Sequence, residues 1–142
     1  MKRIFIIDGM ALIYRAHFAM IKNPLITKSG QHTSAIYGFA NSIIKIIKDE
    51  KPDFFVIALD TRKPTFRHEM YPEYKQNRES MPDELSEQID PILTMIDLMG
   101  IKSISMDGFE ADDIIGTLTR TASASDIESY IVSGDKDMMQ LV

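Results

Sequence analysis

The chain contains no cysteine. That absence removes disulfides, thiolate zinc sites and cysteine nucleophiles, and it suits a reducing compartment. Histidine is scarce: His17, His32 and His68 share no metal-ligand spacing, so any metal must be held mainly by oxygen, which selects hard cations. No apolar run approaches the ~18 residues of a membrane span. Only four apolar residues lie between Arg3 and Asp8, fewer than the roughly 7–15 of a signal-peptide core. The expectation is a soluble, cytoplasmic protein with no membrane partner. Repeats, low-complexity stretches and Gly- or Ser-rich linkers are also missing. A chain of 142 residues is then expected to form one domain, burying roughly 68–70% of its unfolded surface.

What the chain does have is carboxylates at the ends of apolar runs. Ile4-Phe5-Ile6-Ile7 stops at Asp8, Phe54-Phe55-Val56-Ile57-Ala58-Leu59 stops at Asp60, and Tyr130-Ile131-Val132 leads through Ser133-Gly134 to Asp135 and Asp137. Short runs rich in Ile, Val and Phe read as buried parallel strands, and open α/β sheets bind ligands beyond the carboxyl ends of such strands. Glu110-Ala111-Asp112-Asp113 opens a helix after a further short strand. Up to seven carboxylates are therefore expected on one edge of one sheet, an arrangement that mutual repulsion forbids unless cations are present. The plainer alternatives are that strand-end acids serve local turns, and that Glu110, Asp112 and Asp113 only stabilise the start of their helix.

Charge is divided along the chain. The formal net charge is −5, yet residues 1–78 carry 13 bases and 7 acids, a balance of +6, while residues 79–142 carry 3 bases and 14 acids, a balance of −11. Arg62, Lys63, Arg67, Lys75 and Arg78 place five of the sixteen bases within seventeen residues. A basic segment beside a carboxylate cluster suits a polyanion processed at metals; considered alone, it is an ordinary solvated loop.

Strand and helix patterns alternate, which predicts a mostly parallel sheet with right-handed crossovers. The expected elements are a strand at 3–8, a helix at 10–20 and a loop at 22–32. Next come a helix capped by Thr33 or Ser34, with Ile36, Phe39, Ala40, Ile43 and Ile47 on its buried face, and a second strand running to Asp60. Between Thr61 and Met81 the periodicity fails and Phe66, Tyr71 and Tyr74 alternate with bases, the pattern of a functional loop. Pro82, Asp83 and Glu84 mark a helix start. That helix carries Leu85, Ile89, Ile92, Ile96 and Met99 as its stripe, Pro91 as a potential kink and Gly100 as a left-handed stop. A strand at 101–106 and a helix from Glu110, buried at Ala111, Ile114, Ile115, Leu118 and Ala122, complete the pattern.

Seven segments in order resemble one known family. They are Asp8-Gly9-Met10-Ala11-Leu12-Ile13-Tyr14-Arg15, Tyr37-Gly38-Phe39, Leu59-Asp60, Phe66-Arg67-His68, Tyr74-Lys75-Gln76-Asn77-Arg78, Gly108-Phe109-Glu110-Ala111-Asp112-Asp113 and Ser133-Gly134-Asp135-Lys136-Asp137. The sequence is similar to the N-terminal 5′-nuclease (5′-3′ exonuclease) domain of bacterial DNA polymerase I, related to phage 5′-exonucleases and flap endonucleases. The resemblance implies a three-layer PIN-like, Rossmann-like α/β fold with helices on both faces of the sheet. It implies that Asp8, Asp60, Glu110 and Asp112, with Asp113 close by, hold one divalent ion, and that Asp135 and Asp137 belong to a second site. It places Lys75 and Arg78 at the scissile phosphate, with Tyr74 and Phe66 along the route for single-stranded DNA and Arg67 among the DNA contacts. Members of the family continue into a helix-hairpin-helix clamp with two further aspartates. Residues 1–142 are accordingly expected to be the N-terminal catalytic part, weak or inactive alone, of a protein carrying an attached polymerase region.

The chemistry implied is hydrolysis of DNA from 5′ ends and at 5′ flaps with two Mg²⁺ or Mn²⁺ ions. Lys75 and Arg78 add positive charge where the transition state gathers negative charge. A haloacid-dehalogenase-like phosphatase needs a second acid two residues after the first, where Met10 stands. A PIN-like ribonuclease shares the acids but usually lacks the segment from Tyr74 to Arg78. A noncatalytic DNA-binding or docking module of nuclease fold is the alternative from another class.

Overall fold

The computed structural model describes residues 1–60 and 81–133. Among them the element order is β1 (Arg3–Asp8), α1 (Gly9–Ala19), α2 (Ser34–Glu50), β2 (Phe54–Ala58), α3 (Asp83–Leu98), β3 (Lys102–Ile104), α4 (Ala111–Ala124) and β4 (Glu128–Val132). The strands form a parallel sheet in the order β3-β2-β1-β4. β1 lies between β2 and β4, with Ile7 opposite both Ile57 and Val132 and Asp8 opposite Ala58.

Alternation along the strands builds two cores. Ile7, Ile57 and Leu59 pack with Leu12 and Ile13 of α1, Phe39 and Ile43 of α2, and Leu85, Ile89, Ile92 and Ile96 of α3. Ile6, Val56 and Ala58 face the other way, onto Ala111, Ile114 and Ile115 of α4. Helices therefore cover both faces, and the three-layer expectation holds among the described residues. Each fully buried aliphatic side chain contributes about 1.5–3 kcal/mol relative to exposure.

Helix boundaries follow local chemistry. Gly9, not Met10, begins α1, because Asp8 caps it with extended backbone (φ −76°, ψ 99°). An added Cβ at Gly9 would stand 2.6 Å from Leu59 Cδ2 and 3.1 Å from the Ala58 carbonyl oxygen, so glycine lets the α1 start lie against β2. Gly38 of α2 makes the same allowance for α1: its Cβ would fall 2.7 Å from Ala16 Cβ. Gly100 (φ +73°) follows α3 as expected, with Ile101 N donating to Ile96 O.

Several details differ from the sequence reading. β2 stops at Ala58 instead of Asp60, although Leu59 N still donates to Ile104 O at 2.9 Å. β3 covers only 102–104, because the chain then turns through Gly108 (φ +85°). The loop at 22–32 contains an antiparallel bridge between Ile26 and His32. Ile47 and Met99 are exposed, while Ala35 and Gln88 are buried. Near the end of α2 it is Ile46 that packs against the core in place of Ile47, and Met99 is the C-cap that follows α3. No described helix is long and apolar enough to cross a membrane.

Candidate functional site

The chain steps from β1 to β2 to β3 in one direction, then places β4 on the opposite flank of β1. That reversal makes the carboxyl ends of β1 and β4 a topological switch point, where open α/β sheets form their ligand crevice. Asp8 is the last residue of β1. Its side chain is only 6% exposed; Oδ1 accepts a 3.3 Å hydrogen bond from Ala11 N, and Oδ2 accepts one of 3.1 Å from Ser133 Oγ. Asp8 thus combines helix capping with a position at the switch point.

The other described acids gather at the start of α4. Asp60, exposed, lies two residues beyond β2, and its Oδ1 accepts a 2.6 Å hydrogen bond from Ala111 N. Glu110 is the α4 N-cap, 5% exposed. It forms a reciprocal capping box with Asp113, whose Oδ2 accepts from Glu110 N at 2.9 Å. This is the usual box with the residue types changed, carboxylates at both ends. Asp112 is half-buried in the same first turn. The helix-stabilising alternative is therefore real for Glu110 and Asp113, which bond to backbone N–H groups at the positive end of the helix.

The five candidate acids among the described residues stand at the carboxyl edge of the sheet or at the helix start that follows it, but the expected convergence is incomplete among them. Among the described residues no three acidic or imidazole groups lie close enough to share one ion. Asp8 accepts from Ala11 and Ser133, Asp60 from Ala111, and Asp113 from Glu110. The donor set itself, carboxylate oxygens without sulfur, fits a hard divalent cation. Phe66, Arg67, Tyr74, Lys75, Arg78, Asp135 and Asp137 lie outside the described residues.

Two residues that position the site, and one that fastens α2 to α3, were not singled out as such from sequence. Ser133 meets Asp8 only because β4 pairs with β1. Gly9 keeps the α1 start against β2. Gln88, fully buried, accepts from Ala35 N (2.8 Å) and Ile36 N (3.1 Å) and donates to Glu84 O (2.7 Å). It supplies from α3 the cap that Thr33 does not give α2. A polar residue inside the stripe Leu85, Ile89, Ile92 was the available signal, since a buried amide demands partners. An apolar groove of about 860 Å³ opens at the opposite edge, lined by Ile47, Phe54, Ile101 and Leu118 among others. It lies away from those acids, and the one carboxylate in its lining, Asp53, accepts a hydrogen bond from Arg3 N at 2.8 Å.

Comparison with known proteins is consistent with this geometry. Residues 3–142 match the family model of the 5′-3′ exonuclease, N-terminal resolvase-like domain. DNA polymerase I of Bacillus subtilis is 44% identical over 141 residues, covering 99% of this chain and 16% of the relative. DNA polymerase I of Treponema pallidum is 41% identical, with 99% and 14% covered. The chain therefore spans about one sixth of the curated relatives' length. Among solved structures, the T5 5′-exonuclease with bound zinc ions superimposes with a TM-score of 0.73 at 23% identity, covering 99% of this chain and 52% of that one. The bacteriophage T5 flap endonuclease in a pseudo-enzyme–product complex with DNA and metal ions gives 0.68 at 22% identity, with 95% and 50% covered. These two likenesses show the fold, and the sequence match shows the family: the chain belongs to the 5′-3′ exonuclease N-terminal, resolvase-like domain family.

Proposed function

We propose that these residues form the metal-holding part of a nuclease that hydrolyses DNA phosphodiester bonds from 5′ ends and at 5′ flaps. The observation that carries the proposal is Asp8, a buried carboxylate at the sheet's switch point, with Asp60, Glu110, Asp112 and Asp113 along the same edge. The metal-bound and DNA-bound T5 structures support the reading, as do the DNA polymerase relatives. A polymerase region attached to the same chain is part of the proposal.

In this reading Asp8, Asp60, Glu110, Asp112 and Asp113 hold one Mg²⁺ or Mn²⁺, and Asp135 and Asp137 contribute to a second. When bound, such cations supply concentrated positive charge and acidify water at neutral pH. Asp60 and Asp113, which accept from Ala111 N and Glu110 N, would share their oxygens between those N–H groups and the cation. Lys75 and Arg78 meet the phosphate, where fixed positive charge favours the transition state over the ground state. Arg67 and Tyr74 contact the strand, through phosphate charge and base stacking respectively.

The test is cleavage of a 5′-flap DNA, and of the same flap in RNA, by the purified protein together with its proposed attached polymerase region, in Mg²⁺ or Mn²⁺. Asp60→Ala serves as the contamination control. The expected outcome is metal-dependent DNA cleavage leaving 5′-phosphates and lost in that variant. Cleavage that survives Asp60→Ala contradicts the proposal, and preferential cleavage of RNA reassigns the substrate.

A further inference from the structure

We infer that Ser133 is a positioning residue for the Asp8 carboxylate and, through it, for the cation; the inference rests on the cation site proposed above. Register puts the two residues together. Val132 lies opposite Ile7 in the parallel β1–β4 pair, so the next residue on each strand falls at the same level, at the switch point. Ser133 Oγ donates to Asp8 Oδ2 at 3.1 Å across 125 residues of sequence.

The two oxygens of Asp8 thereby meet donors from different elements. Oδ1 accepts from Ala11 N in the first turn of α1, and Oδ2 from the end of β4. Two donors on opposite oxygens fix rotation of the carboxylate plane, and burial of Asp8 keeps bulk water from competing with them. The donor is also neutral. A lysine or arginine in the same place would orient Asp8 equally well but would oppose the cation with its own charge. Hydroxyl chemistry thus orders the ligand without lowering its value as one. Ser133 also ties Asp8 to the end of β4.

The deciding experiment compares wild type with Ser133→Ala, Ser133→Thr and Ser133→Val, using the unfolding temperature during a Mn²⁺ titration as readout. Threonine and valine have nearly the same shape and differ in the hydroxyl. Ser133→Ala and Ser133→Val are expected to raise the Mn²⁺ concentration for half-maximal stabilisation roughly tenfold, the scale seen when a partner of a metal ligand is removed. Ser133→Thr should stay within about twofold of wild type. A purely structural serine would shift the metal-free unfolding temperature and leave the Mn²⁺ midpoint in place. Equal midpoints in the Thr and Val variants, with a normal wild-type response, overturn the role of Ser133 alone. A folded wild type indifferent to Mn²⁺ overturns the cation site and this inference together. Failure of all three variants to fold assigns Ser133 to the fold and also overturns the inference.

Discussion

Asp60 Oδ1 accepts a 2.6 Å hydrogen bond from Ala111 N, joining the segment after β2 to the first residue of α4. The bond gives Asp60 two separable jobs, anchoring a helix start and offering charge to a cation. Asp60→Asn retains an acceptor and loses the charge, so its metal-free stability should remain within about 0.5 kcal/mol of wild type while its Mn²⁺ response falls. Asp60→Ala loses both and should cost about 1 kcal/mol in addition. Urea unfolding with and without Mn²⁺ separates the two. Equal metal responses in wild type and Asp60→Asn would remove Asp60 from the cation site.

Gln88 makes a prediction about stability alone. Its buried amide accepts from Ala35 N and Ile36 N, so Gln88→Leu leaves two backbone donors at the α2 start without their acceptor. The expected loss is about 1–3 kcal/mol, seen as a lower urea midpoint at unchanged slope. A change below about 0.5 kcal/mol would show that water or the loop before α2 replaces the amide.

The α1–α2 crossing depends on Gly38. Alanine there gains up to about 1 kcal/mol in helix propensity, but its Cβ would lie 2.7 Å from Ala16 Cβ and 3.3 Å from Ala16 Cα. Because backbone cannot yield as a side-chain tip can, overpacking should win, with a net cost of about 1–3 kcal/mol. Adding Ala16→Gly should recover part of it, and a double-mutant cycle measures the coupling. Strict additivity would mean that the helices separate freely.

Lys75 concerns rate more than binding. Given its proposed place at the phosphate, Lys75→Ala should lower kcat by a larger factor than it raises KM, as expected for charge felt mainly in the transition state. Steady-state kinetics on a 5′-flap substrate, with the protein carrying its proposed polymerase region, checks the split. A rise in KM with kcat unchanged would make Lys75 a simple phosphate anchor.

The site's components were legible where function coincides with an element's end. Asp8, Asp60 and Glu110 each follow an apolar run or open an amphipathic helix, and those patterns are local. The α/β class was legible for the same reason, since each strand and helix carries its own periodicity. Ser133 beside Asp8, Ala111 N on Asp60 and Gln88 under Ala35 were not, because each contact depends on strand order or helix packing between residues far apart in sequence. The hydrogen bonds that the acids accept from backbone N–H groups were not legible either, because the sequence does not reveal which donor stands nearest. Of the expected stripe positions, Ile47 is exposed while its neighbour Ile46 packs on the core, and Met99 is exposed as the C-cap beyond α3.

The most direct test of the carboxylate edge as a divalent-cation site is calorimetric titration of Mn²⁺ into wild type, Asp8→Asn and Asp112→Asn. Asparagine at position 8 keeps a side-chain oxygen for Ala11 N and removes the charge, so the cap of α1 survives while the ligand is weakened. Saturable binding in wild type that is lost in both variants, with all three folded, is the predicted result. Absence of binding in wild type, or binding unchanged by either substitution, would contradict it.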